Sequence, residues 1–114
     1  MPTLHIEHPV TDMATWADAF RSFASVRREM GVVGERIQHP VDDPAFVVVD
    51  LDFDTPERAQ GFLDFLHEQV WAIPANAPAL AGKPQARILQ VVRLDDLTPV
   101  SPGPTDSPVQ DATA

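Results

Sequence analysis

The chain has 114 residues, 44% of them hydrophobic, which is enough for one modest core and a single domain. A formal net charge of -9, from 17 acidic against 8 basic residues, argues against nucleic-acid and anionic-membrane partners, because both are held by clustered Lys and Arg. There is no cysteine, so disulfides, thiolate metal sites and cysteine nucleophiles are excluded.

Residues 1–9 carry neither a basic n-region nor an apolar h-region, and the longest strongly apolar run is Phe46 to Val49; a cytoplasmic protein is expected. In chain order, Thr3 to His8 reads as a strand and Asp12 to Met30 as a helix. The helix has an apolar stripe of Met13, Trp16, Ala17, Phe20, Phe23, Ala24, Val26 and Met30 at spacings of three and four. Thr11 or Asp12 can cap its start, and Gly31 offers a left-handed stop. Arg27 interrupts the stripe, and its long stem is expected to lie on apolar surface with the charged head in water. Val33 to His39 and Ala45 to Phe53 form a hairpin through the polar turn Val41-Asp42-Asp43-Pro44.

A second helix spans Glu57 to Trp71, with Thr55 or Asp54 as cap, Pro56 in the first turn and Ala59, Phe62, Leu63, Leu66 and Val70 as its stripe. Phe65 and Trp71 fall off that stripe. They either pad the edge of the core or serve as a subunit contact or pocket lip. Residues 72–84, rich in Ala and Pro, read as a turn or a broken helical piece; Ala86 to Leu94 reads as the closing strand. A Pro-rich acidic tail over 97–114 lacks apolar periodicity and is expected to be disordered, leaving a domain over 1–96.

The β-α-β-β-α-β order predicts an α+β, ferredoxin-like fold, a four-stranded antiparallel sheet with both helices on one face. Strand parity puts Leu4, Ile6, Val47, Val49, Leu51 and Phe53 beneath the helices. It leaves His5, Glu7, Arg36, Gln38, Phe46, Val48, Asp50 and Asp52 on the bare face, to be solvated or covered by a second copy. Among proton-transfer candidates, His8 and His39 end two strands of the same sense, roughly 10 Å apart across the intervening strand, too far to share one metal. No phosphate loop, dinucleotide fingerprint or calcium-loop spacing is present.

The stretch His8-Pro9-Val10-Thr11-Asp12, followed by Trp16 and Phe20, then Gly31, Val47 to Phe53, and Asp54 to Phe62-Leu63, resembles small bacterial proteins of the dimeric α+β-barrel superfamily. That group includes antibiotic-biosynthesis-monooxygenase-like proteins and polyketide cyclases. The resemblance spans about Thr3 to Leu94. It implies a homodimer with facing sheets and, in each subunit, a small-molecule cavity between helices and sheet, in which oxygenation or cyclisation needs no metal and no cofactor. Oxygenating relatives commonly use an Asn on the first strand and a Trp on the third, and this chain has neither; it also has no tyrosine. Haem-degrading relatives carry a ligating His on the second helix, where His67 lies. The function expected is binding of a hydrophobic or aromatic small molecule, with cofactor-free monooxygenation or cyclisation. A non-catalytic dimeric binding module is the alternative, and a haem-handling relative a third. His39 and His67 are the expected catalytic groups, and Trp16 and Trp71 the expected substrate-binding ones.

Overall fold

A computed structural model describes residues 1–97, so the tail expected beyond Leu97 lies outside the described residues. Strand β1 (Thr3–Pro9) is followed by helices α1 (Met13–Ser22) and α2 (Ala24–Glu29), then by strands β2 (Gly34–Gln38) and β3 (Phe46–Asp52). Helix α3 (Pro56–Phe65) continues into a π-helical segment (Leu66–Trp71), and strand β4 (Gln85–Leu89) closes the sheet. The strand order is β2-β3-β1-β4 with every pairing antiparallel, which is the expected ferredoxin-like plan.

Parity divides the sheet as the sequence predicts. Leu4, Val47, Leu51 and Phe53 are essentially inaccessible, and Ile6 and Val49 nearly so, with Ala59 and Phe62 packed over them. On the other face the register sets Arg36 against Asp50, Asp50 against His5 and His5 against Arg87, a row of alternating charge across all four strands. Asp12 caps α1, its carboxylate accepting from the Thr15 N–H at 2.9 Å. The Thr55 hydroxyl accepts from the Arg58 N–H at 3.2 Å, and Pro56 occupies the first turn of α3. Gly31, at φ +103°, stops α2 in the left-handed region that a side chain disfavours.

Three elements depart from expectation. The first helix is broken at Phe23 rather than continuous to Met30. The Ser22 hydroxyl donates back to the Ala19 carbonyl at 2.6 Å, and the Phe23 N–H turns to the carbonyl of Phe20, three residues back. The second helix widens after Phe65, so residues beyond Leu66 take angular positions that a 3.6-residue period misplaces. The last strand stops at Leu89 instead of Leu94, because Leu89 pairs with Thr3, the first residue of β1, and the partner strand ends there.

Candidate functional site

Between sheet and helices lies a cavity of about 80 Å³, open on one side. Its floor is Ile6 and His8 of β1 with Val49 and Leu51 of β3. Helix α1 and the start of α2 supply Trp16, Ala19, Phe20, Phe23 and Arg27, and α3 with the π-helical segment supplies Phe62, Phe65, Leu66, Val70 and Trp71. The 76–80 stretch closes the remaining wall. It is tied to the end of β1 by Val10 pairing with Leu80 and by the Thr11 N–H donating to the Ala79 carbonyl at 2.9 Å. The walls are mostly apolar: of the three polar or charged lining residues, Asn76 is part-exposed and donates to the Gln69 carbonyl at 2.7 Å, while His8 and Arg27 are the only buried polar or charged side chains among the described residues.

His8 follows Leu4 and Ile6 on the inward parity of β1 and is 4% exposed. Its Nδ1 lies 2.9 Å from the Pro9 carbonyl oxygen. A carbonyl only accepts, so Nδ1 carries the proton and Nε2 is left as the basic nitrogen of a neutral ring. Burial pushes the imidazole pKa below its ordinary 6.5, partly opposed by the Pro9 hydrogen bond, so the neutral form prevails at physiological pH. Trp16 stands edge-on to His8 with centroids 6.4 Å apart and stacks on Phe20 at 4.9 Å.

Arg27 ends that aromatic wall. Its guanidinium lies over the Phe20 ring at 3.6 Å from the centroid. Nε donates to Glu35 at 2.5 Å, and Nη1 donates to the Phe20 carbonyl at 2.5 Å. Because α1 breaks at Phe23, the Phe20 carbonyl accepts from the guanidinium as well as from the Phe23 N–H, a cation at the negative end of a helix. The head expected in water is therefore buried, drawn in by the helix break and by Glu35 on β2.

Trp16 and Trp71 both line the cavity. His39 and His67 do not. His39 follows the edge strand β2, is exposed, and donates from Nδ1 to the Pro40 carbonyl at 2.6 Å. His67 is exposed on the outside of the π-helical segment, edge-on to Trp71 with centroids 5.0 Å apart. The two buried polar lining residues absent from the expected site set are His8 and Arg27. Parity along β1 is a sufficient signal for His8; nothing local marks the helix break that turns Arg27 inward. Phe65, off the predicted stripe, stacks on Phe62 at 5.7 Å and meets Phe23 edge-on at 6.3 Å. No group of three or more His, Asp or Glu suited to holding a metal occurs among the described residues, and none of their helices is long and apolar enough to cross a membrane.

On the opposite face His5 bridges two carboxylates, Nε2 to Glu7 at 3.0 Å and Nδ1 to Asp50 at 2.7 Å. The Glu7 hydrogen bond, together with that to Asp50, raises its pKa above 6.5 against a partial burial penalty. The two histidines thus titrate in opposite senses. His5 stabilises the fold fully below 6.5, and that contribution is lost as pH rises through its raised folded value. The depressed His8 contributes above 6.5, and that contribution is lost as pH falls through its folded value. Thermal melts between roughly pH 5 and 9 should therefore peak near the ordinary histidine range, with His5→Gln flattening the alkaline limb and His8→Gln the acid one. Melts that rise steadily from acid to alkali would contradict the His5 assignment.

The sheet, its one-sided helical layer and the cavity between them define the ferredoxin-like α+β class. Solved structures of antibiotic-biosynthesis-monooxygenase-like proteins share this fold. The crystal structure of an antibiotic biosynthesis monooxygenase has a TM-score of 0.60 at 10% identity, covering 82% of this chain and 100% of that one. A candidate antibiotic biosynthesis monooxygenase from Nitrosomonas europaea has a TM-score of 0.61 at 16% identity, over 80% of this chain and 89% of the other. A dimeric ferredoxin-like protein from an uncultured marine organism has a TM-score of 0.58 at 14% identity, over 81% and 94%. At such identities the likeness is one of fold. No family model and no curated protein matches the chain.

Proposed function

We propose that this chain is a homodimeric binding protein whose cavity takes a single-ring aromatic or similarly compact hydrophobic molecule bearing a hydroxyl. One observation carries the reading: an apolar cavity with aromatic walls holds a buried, neutral imidazole whose Nε2 is left to accept a proton or hydrogen bond. The volume sets the size of the occupant. Pockets for drug-sized ligands run to ~300 Å³ or more, and an engineered cavity of ~150 Å³ accepts benzene. About 80 Å³ suits one ring seated partly in the open mouth, not a polycyclic phenol.

Titrating p-cresol against tryptophan fluorescence tests the reading, because both tryptophans of the chain line the cavity. A saturable change is expected in the natural protein and its loss in Ala19→Phe, which fills the space. An equal response in both, or none in either, would sink the proposal. A catalytic reading, cofactor-free oxygenation or ring closure of the bound phenol, is favoured by the same His8: removing the phenolic proton enriches the ring in the electrons either reaction draws on. It requires turnover to fall by ~10²-fold or more in a folded His8→Phe protein.

Dimerisation is supported by the bare charged sheet face and by the apolar side chains left in water after the closing strand: Val91, Val92 and Leu94 are each more than half exposed. The marine relative described as dimeric has the same fold. Light scattering at micromolar concentration should give twice the 12.5 kDa chain mass, and a monomer mass would remove this part of the proposal.

A further inference from the structure

We infer that the compact hydroxyl-bearing ligand proposed above also carries a carboxylate, whose head group binds the guanidinium of Arg27, so that the cavity selects an anion; this rests on the cavity being a ligand site, as proposed above. Arg27 is 5% exposed and lines the cavity, yet its hydrogen bonding is incomplete. A guanidinium has five N–H donors. One goes to Glu35 and one to the Phe20 carbonyl, and the others meet no acceptor from the described residues.

Unmet charged donors in an apolar enclosure are costly, and an acceptor brought in by a ligand removes that cost. The guanidinium is also fixed in place. Its central carbon lies over the Phe20 ring at 3.6 Å from the centroid, and the two existing hydrogen bonds hold its orientation, so little rotamer freedom remains to be lost on binding. A carboxylate is the acceptor that matches two neighbouring N–H groups at once. Glu35 does not occupy that role fully. It approaches Nε and is 35% exposed, so solvent screens its charge on the side away from the cavity. His8 and Arg27 stand at opposite ends of the Trp16-Phe20 wall, which places the anionic head at Arg27 and the ring or chain between the aromatics.

The test compares benzoate with benzyl alcohol, equal in ring and close in size, by calorimetry and tryptophan fluorescence at low salt. Benzoate should bind the natural protein about tenfold or more tightly, the scale of one charge-assisted hydrogen bond. Arg27→Met should bring benzoate down to the affinity of benzyl alcohol. Glu35→Gln keeps an acceptor for Nε and removes the competing charge, so it should tighten benzoate and raise the preference; this arm and the comparison in the natural protein do not depend on Arg27→Met folding. Equal affinities in the natural protein would mean that water alone satisfies the free donors, overturning the anion inference while leaving the cavity a ligand site. A benzoate preference that survives in a folded Arg27→Met protein would also overturn it. Failure of both probes to bind would overturn the cavity reading itself.

Discussion

Phe53→Ala is expected to lower the free energy of unfolding by about 3–5 kcal/mol. Phe53 is the largest wholly buried side chain among the described residues, placed just after β3 on its inward parity, and it packs against Phe62 of α3 at a centroid separation of 5.9 Å. Its backbone N–H donates to the Pro2 carbonyl at 3.0 Å, so the site is held in place at both strands and is poorly able to collapse around the missing ring. Domains of this size are stable by only ~5–15 kcal/mol, so the loss removes a large share. Urea denaturation checks it, with Ile37→Ala as a control, since Ile37 is 42% exposed on the edge strand and should cost little. A Phe53→Ala effect below about 1 kcal/mol would show that the core is not organised around this residue.

Breaking the Arg27–Glu35 pair from either side should give unequal losses. Glu35→Ala leaves a buried guanidinium with its nearest counter-charge gone; for a fully buried pair such a removal costs ~3–5 kcal/mol, and the 35% exposure of Glu35 brings the expectation to about 2 kcal/mol. Arg27→Met instead puts an apolar chain of similar length under Phe20 and leaves Glu35 where water reaches it. The Phe20 carbonyl keeps its bond from the Phe23 N–H, so the cost should be smaller, about 1 kcal/mol. Denaturant midpoints of the two variants decide the order. Arg27→Met proving the more damaging would mean that its stacking and helix-capping contacts, not its charge balance, hold the guanidinium in.

Those same contacts mark where the sequence stops being readable. Period-two alternation is enough for the sheet: Leu4, Ile6 and the odd positions of β3 are buried, and Asp50 meets His5 and Arg36 on the other face. Local capping chemistry is enough for helix starts, with Asp12 and Thr55 each accepting a backbone N–H. Both expected tryptophans line the cavity. The break at Phe23 and the π-helical turn after Phe65 have no Gly or Pro to announce them, and each shifts the angular positions of the residues C-terminal to it. Arg27, expected with its head in water, reaches the cavity only through the first of those irregularities. His39 is expected on the helix side by the parity of a strand reaching residue 39, and His67 by its place on the second helix, but β2 ends at Gln38, and both side chains lie outside the cavity. His8 has such a parity, shared with Leu4 and Ile6.

Heteronuclear NMR of the labelled protein titrated with p-cresol tests most directly whether the space between sheet and helices is a ligand site. The indole N–H signals of Trp16 and Trp71 and the backbone amides of Ile6, His8 and Phe62 should shift together and saturate, while those of His5, Asp50 and Arg87 on the opposite face stay in place. Saturable shifts confined to the bare face, or no saturable shift at millimolar p-cresol, would contradict it.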